Sequence, residues 1–393
     1  MTPHLLLYEP RTEGHHLGWL RFITEDLLSA NFRLSLAVDL RQEAKSKIED
    51  HMSGLLSQVN LLSAYNDSGR RHGDGKAGSV AFCLRQSGAD NVFLCEFDEI
   101  ASTCFRRAAL GFLPPIEMRG RMGGIYHRPR FMIAPRWSLN RRLKEIGFQR
   151  LLLHGWLRQV LLLDEYLARD CQTAFPRAPI FFLPDPCPPD YNGDSEHARQ
   201  QLGVPVDRCV FLFYGGGYRR KGLHLAVEAM LGLPPGDKSF LLCVGQQNPK
   251  GKTDRGLEQL VHQGQAGVIN RYVSVAEEKL SFAACDVVLL PYLNHFGTSG
   301  VLSRAMAAGK MVIVSDEQLL GRLTKHHELG LLFPSRSIEE LRKRISEAAA
   351  MSTERRASWS VAARNYAKQY SREAFRSALL NSISIETRTE AKS

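Results

Sequence analysis

Residues 291 to 316 read PYLNHFGTSGVLSRAMAAGKMVIVSD, a strand end, a glycine-bearing loop, a helix and a second strand in 26 residues. The preceding run, Cys285-Asp286-Val287-Val288-Leu289-Leu290, is short and apolar, as a strand buried on both faces requires, and Met311-Val312-Ile313-Val314 has the same character. Parallel strands need a crossover of this kind. Between the two strands, Gly297-Thr298-Ser299-Gly300 can bring unencumbered backbone N–H groups to the start of a helix over Val301–Ala308, where those groups and the helix dipole favour an anion. Gly309 is placed to end that helix.

The same pattern repeats on either side. Val210–Tyr214 reads as a strand and runs into Gly215-Gly216-Gly217-Tyr218-Arg219-Arg220-Lys221-Gly222, a glycine loop with three cations, before a helix from Leu223 to about Met230. Ser239–Val244 with Gly245 gives another strand and turn, and Gly267–Val273 another. From about 205 to 330 the chain alternates strand, loop and helix, which predicts a Rossmann-like parallel sheet of the α/β class.

Five segments in fixed order, YGGGYRRKGLHLAVEAM, FLLCVGQQNP, YVSVAEEKLSFAACDVVLLPY, FGTSGVLSRAMAAGKMVIVSD and HELGLLFPSRSIEEL, resemble the donor-nucleotide domain of GT-B glycosyltransferases, nearest to family 4. The resemblance covers most of the second half of the chain. It implies two Rossmann-like domains facing across a cleft, a nucleotide-diphosphate-sugar donor on the C-terminal domain, an acceptor on the N-terminal domain, and transfer with retained anomeric configuration and without a bound metal or other cofactor. Lys221 stands where the family's lysine contacts the donor diphosphate, and a compact ammonium beside a glycine turn suits a pyrophosphate. Gly216 replaces the family's arginine five residues earlier, so Arg219 or Arg220 is the candidate for that charge; the alternative makes both solvated loop arginines. Thr298, Ser299 and Gly300 complete the donor-binding set, with Gly297 before them. Family members carry two glutamates eight residues apart in the opening segment; here Arg304 stands at the second position and Phe296 at the first, or Asn294 in the other register. A guanidinium at 304 can hold a phosphate or pair with a carboxylate, but it cannot accept from a ribose hydroxyl.

The first half carries weaker signals. His4–Tyr8 reads as a strand, followed by Gly14-His15-His16-Leu17-Gly18-Trp19-Leu20 as a loop entering a helix to about Ala30. In the family this loop faces the cleft, which makes Gly14, His15 and His16 candidates for contacting donor phosphate or acceptor. The alternative is a loop histidine that caps the helix or packs beside Trp19. Arg33–Val38 and Asn91–Cys95 read as strands, the latter running into Glu96-Phe97-Asp98-Glu99. If the strand continues, Glu96 and Asp98 lie on one face at the sheet edge where ligands gather. There a carboxylate can accept a hydroxyl proton or stabilise an oxocarbenium-like charge. The competing reading is an acidic helix start. Related enzymes place a histidine near this loop, and none lies between 73 and 126. Trp137 to about Trp156 reads as helical, with Gln159–Asp164 and Ala178–Leu183 as strands. Pro184-Asp185-Pro186-Cys187-Pro188-Pro189-Asp190 reads as a stiff linker. The expected division is an acceptor domain over 1–184, a linker over 185–195, a donor domain over 196–365, and a segment 366–393 with a helix, Arg364–Leu380, that packs back across the cleft.

A chain of 393 residues suits two cores better than one, and 44% apolar with 23% charged residues describes an ordinary globular protein. Its eight cysteines show no C-x-x-C spacing and read as reduced core residues, with no metal site or disulfide framework among them. With no signal peptide or membrane span evident, a cytoplasmic location is expected. The net charge of +10 is uneven: residues 101–163 hold twelve arginines and lysines against Glu117 and Glu145. That face suits an anionic surface, for example the inner face of a membrane carrying a lipid-linked acceptor; it serves equally as a solvated basic face. No nucleic-acid-binding motif accompanies these arginines, so a nucleic-acid partner is not expected. Ser68–Gly78 reads as a mobile lid or an idle loop. The function expected is transfer of a sugar from a nucleotide-diphosphate donor to a hydroxyl of a glycan or lipid-linked acceptor. The alternative is a degenerate relative that binds a sugar nucleotide or a partner without catalysis.

Overall fold

A computed structural model describes residues 2–13, 16–133, 138–189, 191–216, 219–247 and 251–384. The chain divides into two compact units, Met1–Pro184 with Phe375–Ser393, and Asp185–Ala374.

In the N-terminal unit the strands are β1 (His4–Glu9), β2 (Arg33–Val38), β3 (Asn60–Ser63), β4 (Asn91–Leu94), β5 (Met122–Tyr126), β6 (Leu157–Leu162) and β7 (Ile180–Phe182). They form one sheet in the order β3-β2-β1-β4-β5-β6-β7, and every pairing is parallel. Parallel strands are covered on both faces by their crossover helices, which is why these segments read as near-continuous apolar runs. Alternation still sorts the side chains: Leu6 and Tyr8 belong to one core layer, Leu5 and Leu7 to the other. In the first layer the helices Asp98–Ala109 and Leu139–Leu153 meet so closely that a Cβ on Gly147 would lie 1.7 Å from the Phe105 carbonyl oxygen. Phe375, Leu379 and Ile383 of the last helix, Arg372–Ser384, complete the second layer.

The C-terminal unit repeats the plan with β8 (Cys209–Tyr214), β9 (Ser239–Val244), β10 (Ala266–Ile269), β11 (Val287–Leu290), β12 (Met311–Ser315) and β13 (Gly330–Phe333). Their order is β10-β9-β8-β11-β12-β13, again all parallel. In both sheets the strand order reverses beside the first strand, between β1 and β4 and between β8 and β11. Crevices for ligands open at the carboxyl ends of the strands at such reversals.

Among the boundaries that differ from the sequence expectation, three have a clear local reason. β10 stops at Ile269, short of Val273, because Ser274 and Glu277 form a capping box that starts the helix Val275–Ala284. The expected single helix over Arg364–Leu380 is two, Thr353–Gln369 and Arg372–Ser384. Its first part ends where the Tyr370 carbonyl accepts the Cys187 N–H at 2.7 Å, and Ser371 Oγ then accepts the Ala374 N–H at 3.2 Å to open the second. Tyr366 and Tyr370 are buried and stack 4.1 Å apart beside His327. The strand expected to run through Glu96 and Asp98 ends at Leu94, and Asp98 opens a helix. Seven of the eight cysteines are buried, and all eight are free thiols.

Candidate functional site

In the C-terminal unit the loops after β8 and β11 are joined by main-chain contact. Gly222 has φ of +77°, and a Cβ there would stand 1.9 Å from the Pro291 carbonyl oxygen, so only glycine fits. Next to it the Leu293 N–H donates to the Arg220 carbonyl at 2.7 Å. His295 adds a side-chain tie: its Nε2 lies 2.9 Å from the Thr298 carbonyl, and Arg220 Nη1 lies 3.3 Å from its Nδ1. Burial, Arg220 and Lys221 pull the His295 pKa down to about 4 against the Thr298 and Gly297 contacts, so the ring is neutral. A neutral ring that accepts from Arg220 at Nδ1 must donate from Nε2 to Thr298. Arg220 is therefore engaged in holding the two loops together.

Lys221 sits inside this junction. Its ammonium lies against the backbone of Gly215, where a Cβ would stand 2.4 Å from Nζ, and 5.7 Å from the centre of the Tyr292 ring. Burial, together with Arg220 and Arg304, lowers its pKa to about 8. Among the described residues no carboxylate forms an ion pair with it. A largely desolvated ammonium near two other cations is costly without an anion. The helix Gly300–Ala307 begins beside it, one residue earlier than expected, because Ser299 caps it by accepting the N–H groups of Val301 and Leu302. That cap takes two of the amides at the helix start and buries Ser299, while Gly300 is exposed. The Thr298 side chain is hydrogen-bonded to the Asp185 carboxyl, whose pKa burial raises against the pull of Thr298 and Arg304.

Arg304, the residue at the second family position, is not left exposed. Its Nε lies 2.8 Å from Oε1 of Glu278, and its Nη1 donates to the Gly300 carbonyl at 2.8 Å. Glu278 is buried and also accepts the hydroxyls of Tyr191 and, at 2.5 Å, Tyr214. Burial favours its neutral form, but Arg304 and the two tyrosines outweigh that and hold its pKa below the ordinary value. Sequence reading missed Glu278 because it sits beside Glu277 in what looks like an ordinary acidic first turn. Gly216 lies in the loop after β8, and the Arg219 side chain is exposed.

In the N-terminal unit a second cluster gathers at the carboxyl ends of β1 and β4. His16 is buried in the first turn of the helix His16–Ser29, its Nδ1 3.1 Å from Glu9 Oε2 and its Nε2 3.5 Å from Glu96 Oε2. Burial lowers its pKa, but the bond and charge of Glu9, with Glu96, more than reverse this and raise it. Glu96 further pairs with Arg11 at 2.9 Å and with Arg128 at 3.8 Å. Glu9, His16 and Glu96 offer three ligand atoms within 4.8 Å of one another. With both ring nitrogens turned to carboxylates and the pKa raised, the group fits an ion-paired imidazolium better than a metal ligand set. Gly14 and His15 lie outside the described residues.

Asp98 does not share a face with Glu96. Its carboxylate accepts the backbone N–H groups of His127 at 2.7 Å and Arg128 at 3.0 Å, and burial raises its pKa to about 6 despite those bonds. It fixes the loop after β5. The histidine sought between 73 and 126 stands one residue further on: His127 Nε2 lies 3.1 Å from the Cys95 carbonyl, and its ring packs against Trp19. Glu9 ends β1, and Arg11 and His127 lie just past the ends of β1 and β5, positions that strand-end reasoning could have singled out.

The site yields a stability prediction. Lys221 has a pKa near 8 in the folded chain against 10.5 when unfolded, so its burial costs stability at neutral pH, and the cost disappears as pH rises from about 8 to above 10. Lys221→Met should therefore stabilise the ligand-free protein at pH 7, on the order of 2 kcal/mol by urea denaturation. A loss of stability would mean that the ammonium is already paired.

The model of the family described as glycosyl transferases group 1 matches residues 194–366. Among curated proteins, the D-inositol 3-phosphate glycosyltransferase of Acidothermus cellulolyticus is 29% identical over 150 residues, 36% of this chain and 33% of that protein. That of Xylanimonas cellulosilytica is 33% identical over 123 residues, 30% of this chain and 28% of that protein. The chain thus spans about a third of the length of the curated relatives it matches. Solved structures align over nearly the whole chain. Anabaena HepE in complex with UDP gives a TM-score of 0.69 at 16% identity, covering 98% of this chain and 100% of that one. A glycosyltransferase from Rickettsia africae gives 0.70 at 13%, covering all of both chains. WaaG, a glycosyltransferase involved in lipopolysaccharide biosynthesis, gives 0.65 at 17%, covering 98% of this chain and 99% of that one. Residues 194–366 thus match the glycosyl transferases group 1 model, and the chain as a whole has the two-sheet α/β fold of the GT-B glycosyltransferase structures.

Proposed function

We propose that this protein is a glycosyltransferase that moves a sugar from a nucleotide-diphosphate donor to a hydroxyl of a glycan or lipid-linked acceptor. The observation that carries this reading is Lys221, a half-buried ammonium with no carboxylate partner among the described residues, held against a glycine loop at the carboxyl end of β8. A diphosphate supplies the missing charge. Lys221 and Arg304, with the turn Thr298–Gly300, stabilise the negative charge that grows on the leaving diphosphate as the glycosidic bond breaks. Two fixed cations do there what a divalent ion does elsewhere, so transfer proceeds without a metal; retention of the anomeric configuration follows the family pattern. In the N-terminal unit Glu96 and His16 are the groups that meet the acceptor, and Asp98 positions the loop through His127.

Anabaena HepE, of the same fold, has been solved with UDP and with UDP-glucose, which makes uridine nucleotides the first probes. A thermal-shift screen of nucleoside diphosphates and sugar nucleotides should give a saturable rise in Tm for one base. Lys221→Ala should weaken that ligand at least tenfold and lower sugar release to a comparable degree. A protein that binds the nucleotide but releases no sugar, with or without acceptors, would be the degenerate binding relative; no shift with any nucleotide would remove both readings.

We further infer that the N-terminal unit meets an anionic membrane peripherally. Past the end of the helix Asp98–Ala109, Leu110, Phe112 and Ile116 are 64%, 60% and 68% exposed, and Leu153, which ends the helix Leu139–Leu153, is 83% exposed. Apolar side chains clustered on a surface mark an interaction site. Arg106 and Arg107 flank them, with the Arg107 guanidinium 5.6 Å from the Phe112 ring centre. Apolar residues among arginines match an anionic lipid interface. No helix among the described residues is long and apolar enough to cross a membrane. The protein should sediment with phosphatidylglycerol vesicles and not with phosphatidylcholine vesicles, and Phe112→Asp should abolish the difference. Equal sedimentation with both would contradict this contact.

A further inference from the structure

The carboxyl edge of the N-terminal sheet carries a second charge arrangement that the donor chemistry does not use. Glu99, whose side chain is 3% exposed, receives Arg11 Nη2 at 2.5 Å, Arg71 Nη2 at 2.7 Å and Lys76 Nζ at 3.0 Å. These cations come from three separate segments: the turn after β1, the loop after β3, and the first turn of the helix Gly75–Ser87. Burial alone would raise the Glu99 pKa, and Lys76, Arg71 and Arg11 together bring it below the ordinary value.

Charge counting around this group does not close. Arg11 is shared with Glu96 at 2.9 Å, which leaves Glu99 to answer both Arg71 and Lys76. One carboxylate between two cations leaves a surplus of one positive charge. The surplus is accessible: the Lys76 side chain is 48% exposed and the Arg71 side chain 21%, whereas the carboxylate that gathers them is buried. Arg71 is also steadied by the Tyr8 hydroxyl at 3.4 Å and the Tyr65 ring at 5.6 Å. A buried anion behind and two accessible cations in front form a seat for an external oxyanion, since one carboxylate already draws both cations together before it arrives. The loop expected to be a lid or idle, Ser68–Gly78, supplies both.

We propose that Arg71 and Lys76 bind a phosphate group carried by the acceptor, with Glu99 as the residue that positions them. This rests on the reading of the N-terminal unit as the acceptor side. A planar guanidinium and a compact ammonium side by side suit a tetrahedral oxyanion, the first by its paired N–H groups and the second as a point charge.

The test uses the full chain carrying Lys221→Ala, which removes the central cation of the other site, and so separates this proposal from the donor reading. Calorimetry with glucose 6-phosphate, glucose and inorganic phosphate should show binding of the sugar phosphate and none of glucose. Adding Lys76→Gln or Arg71→Gln should weaken glucose 6-phosphate at least tenfold, and Lys76→Arg should restore most of the affinity, which a variant that merely misfolds cannot do. Unchanged affinity in Lys76→Gln, or no binding of any phosphate, overturns the proposal. Inorganic phosphate binding as tightly as glucose 6-phosphate overturns the assignment to an acceptor.

Discussion

The C-terminal unit depends on one close approach, Gly222 against the Pro291 carbonyl. Because no side chain intervenes, the loop after β8 and the loop after β11 share one junction, tied further by Arg220, His295 and Thr298. Lys221 is carried into that junction by its neighbour, with its ammonium against Gly215. Its depressed pKa is the electrostatic signature of that confinement. A site that holds such a charge gives up stability at neutral pH, which deprotonation or a bound anion relieves.

The two units solve the same topological problem with different charge. Both sheets reverse strand order beside their first strand, and both place their ionisable groups at the carboxyl ends there. The C-terminal unit places cations at that edge, with Glu278 and Asp185 behind them. In the N-terminal unit carboxylates and cations alternate through Glu9, His16, Glu96, Arg11 and Glu99, with Arg71 and Lys76 in excess at the end of the chain of pairs. The first pattern suits a polyanionic ligand. The second suits the handling of a proton beside a ligand of smaller charge than a diphosphate.

Most of the fold was legible because strands covered on both faces must be apolar throughout, and glycine loops punctuate them. Where boundaries moved, a short-range cap decided: Ser274 with Glu277, Ser299, and Ser371 each set a helix start that composition alone does not locate. The place of Lys221 in a glycine loop after β8 was legible for the same reason, as it depends on local sequence. Glu278 and Glu99 were not. Their partners Arg304, Tyr191, Arg11 and Arg71 come from distant parts of the chain, and only the folded sheet brings them together. Asp98 shows the opposite failure: the carboxylate was correctly placed at the strand edge, but its two oxygens are committed to the amides of residues 127 and 128.

The pH dependence of nucleoside diphosphate affinity tests the central claim most directly, measured by calorimetry between pH 7 and 9 on the native chain and on Lys221→Arg. If the Lys221 ammonium holds the diphosphate, affinity falls as pH rises through about 8 in the native chain and stays level in the arginine variant. A level profile in both would place the diphosphate elsewhere.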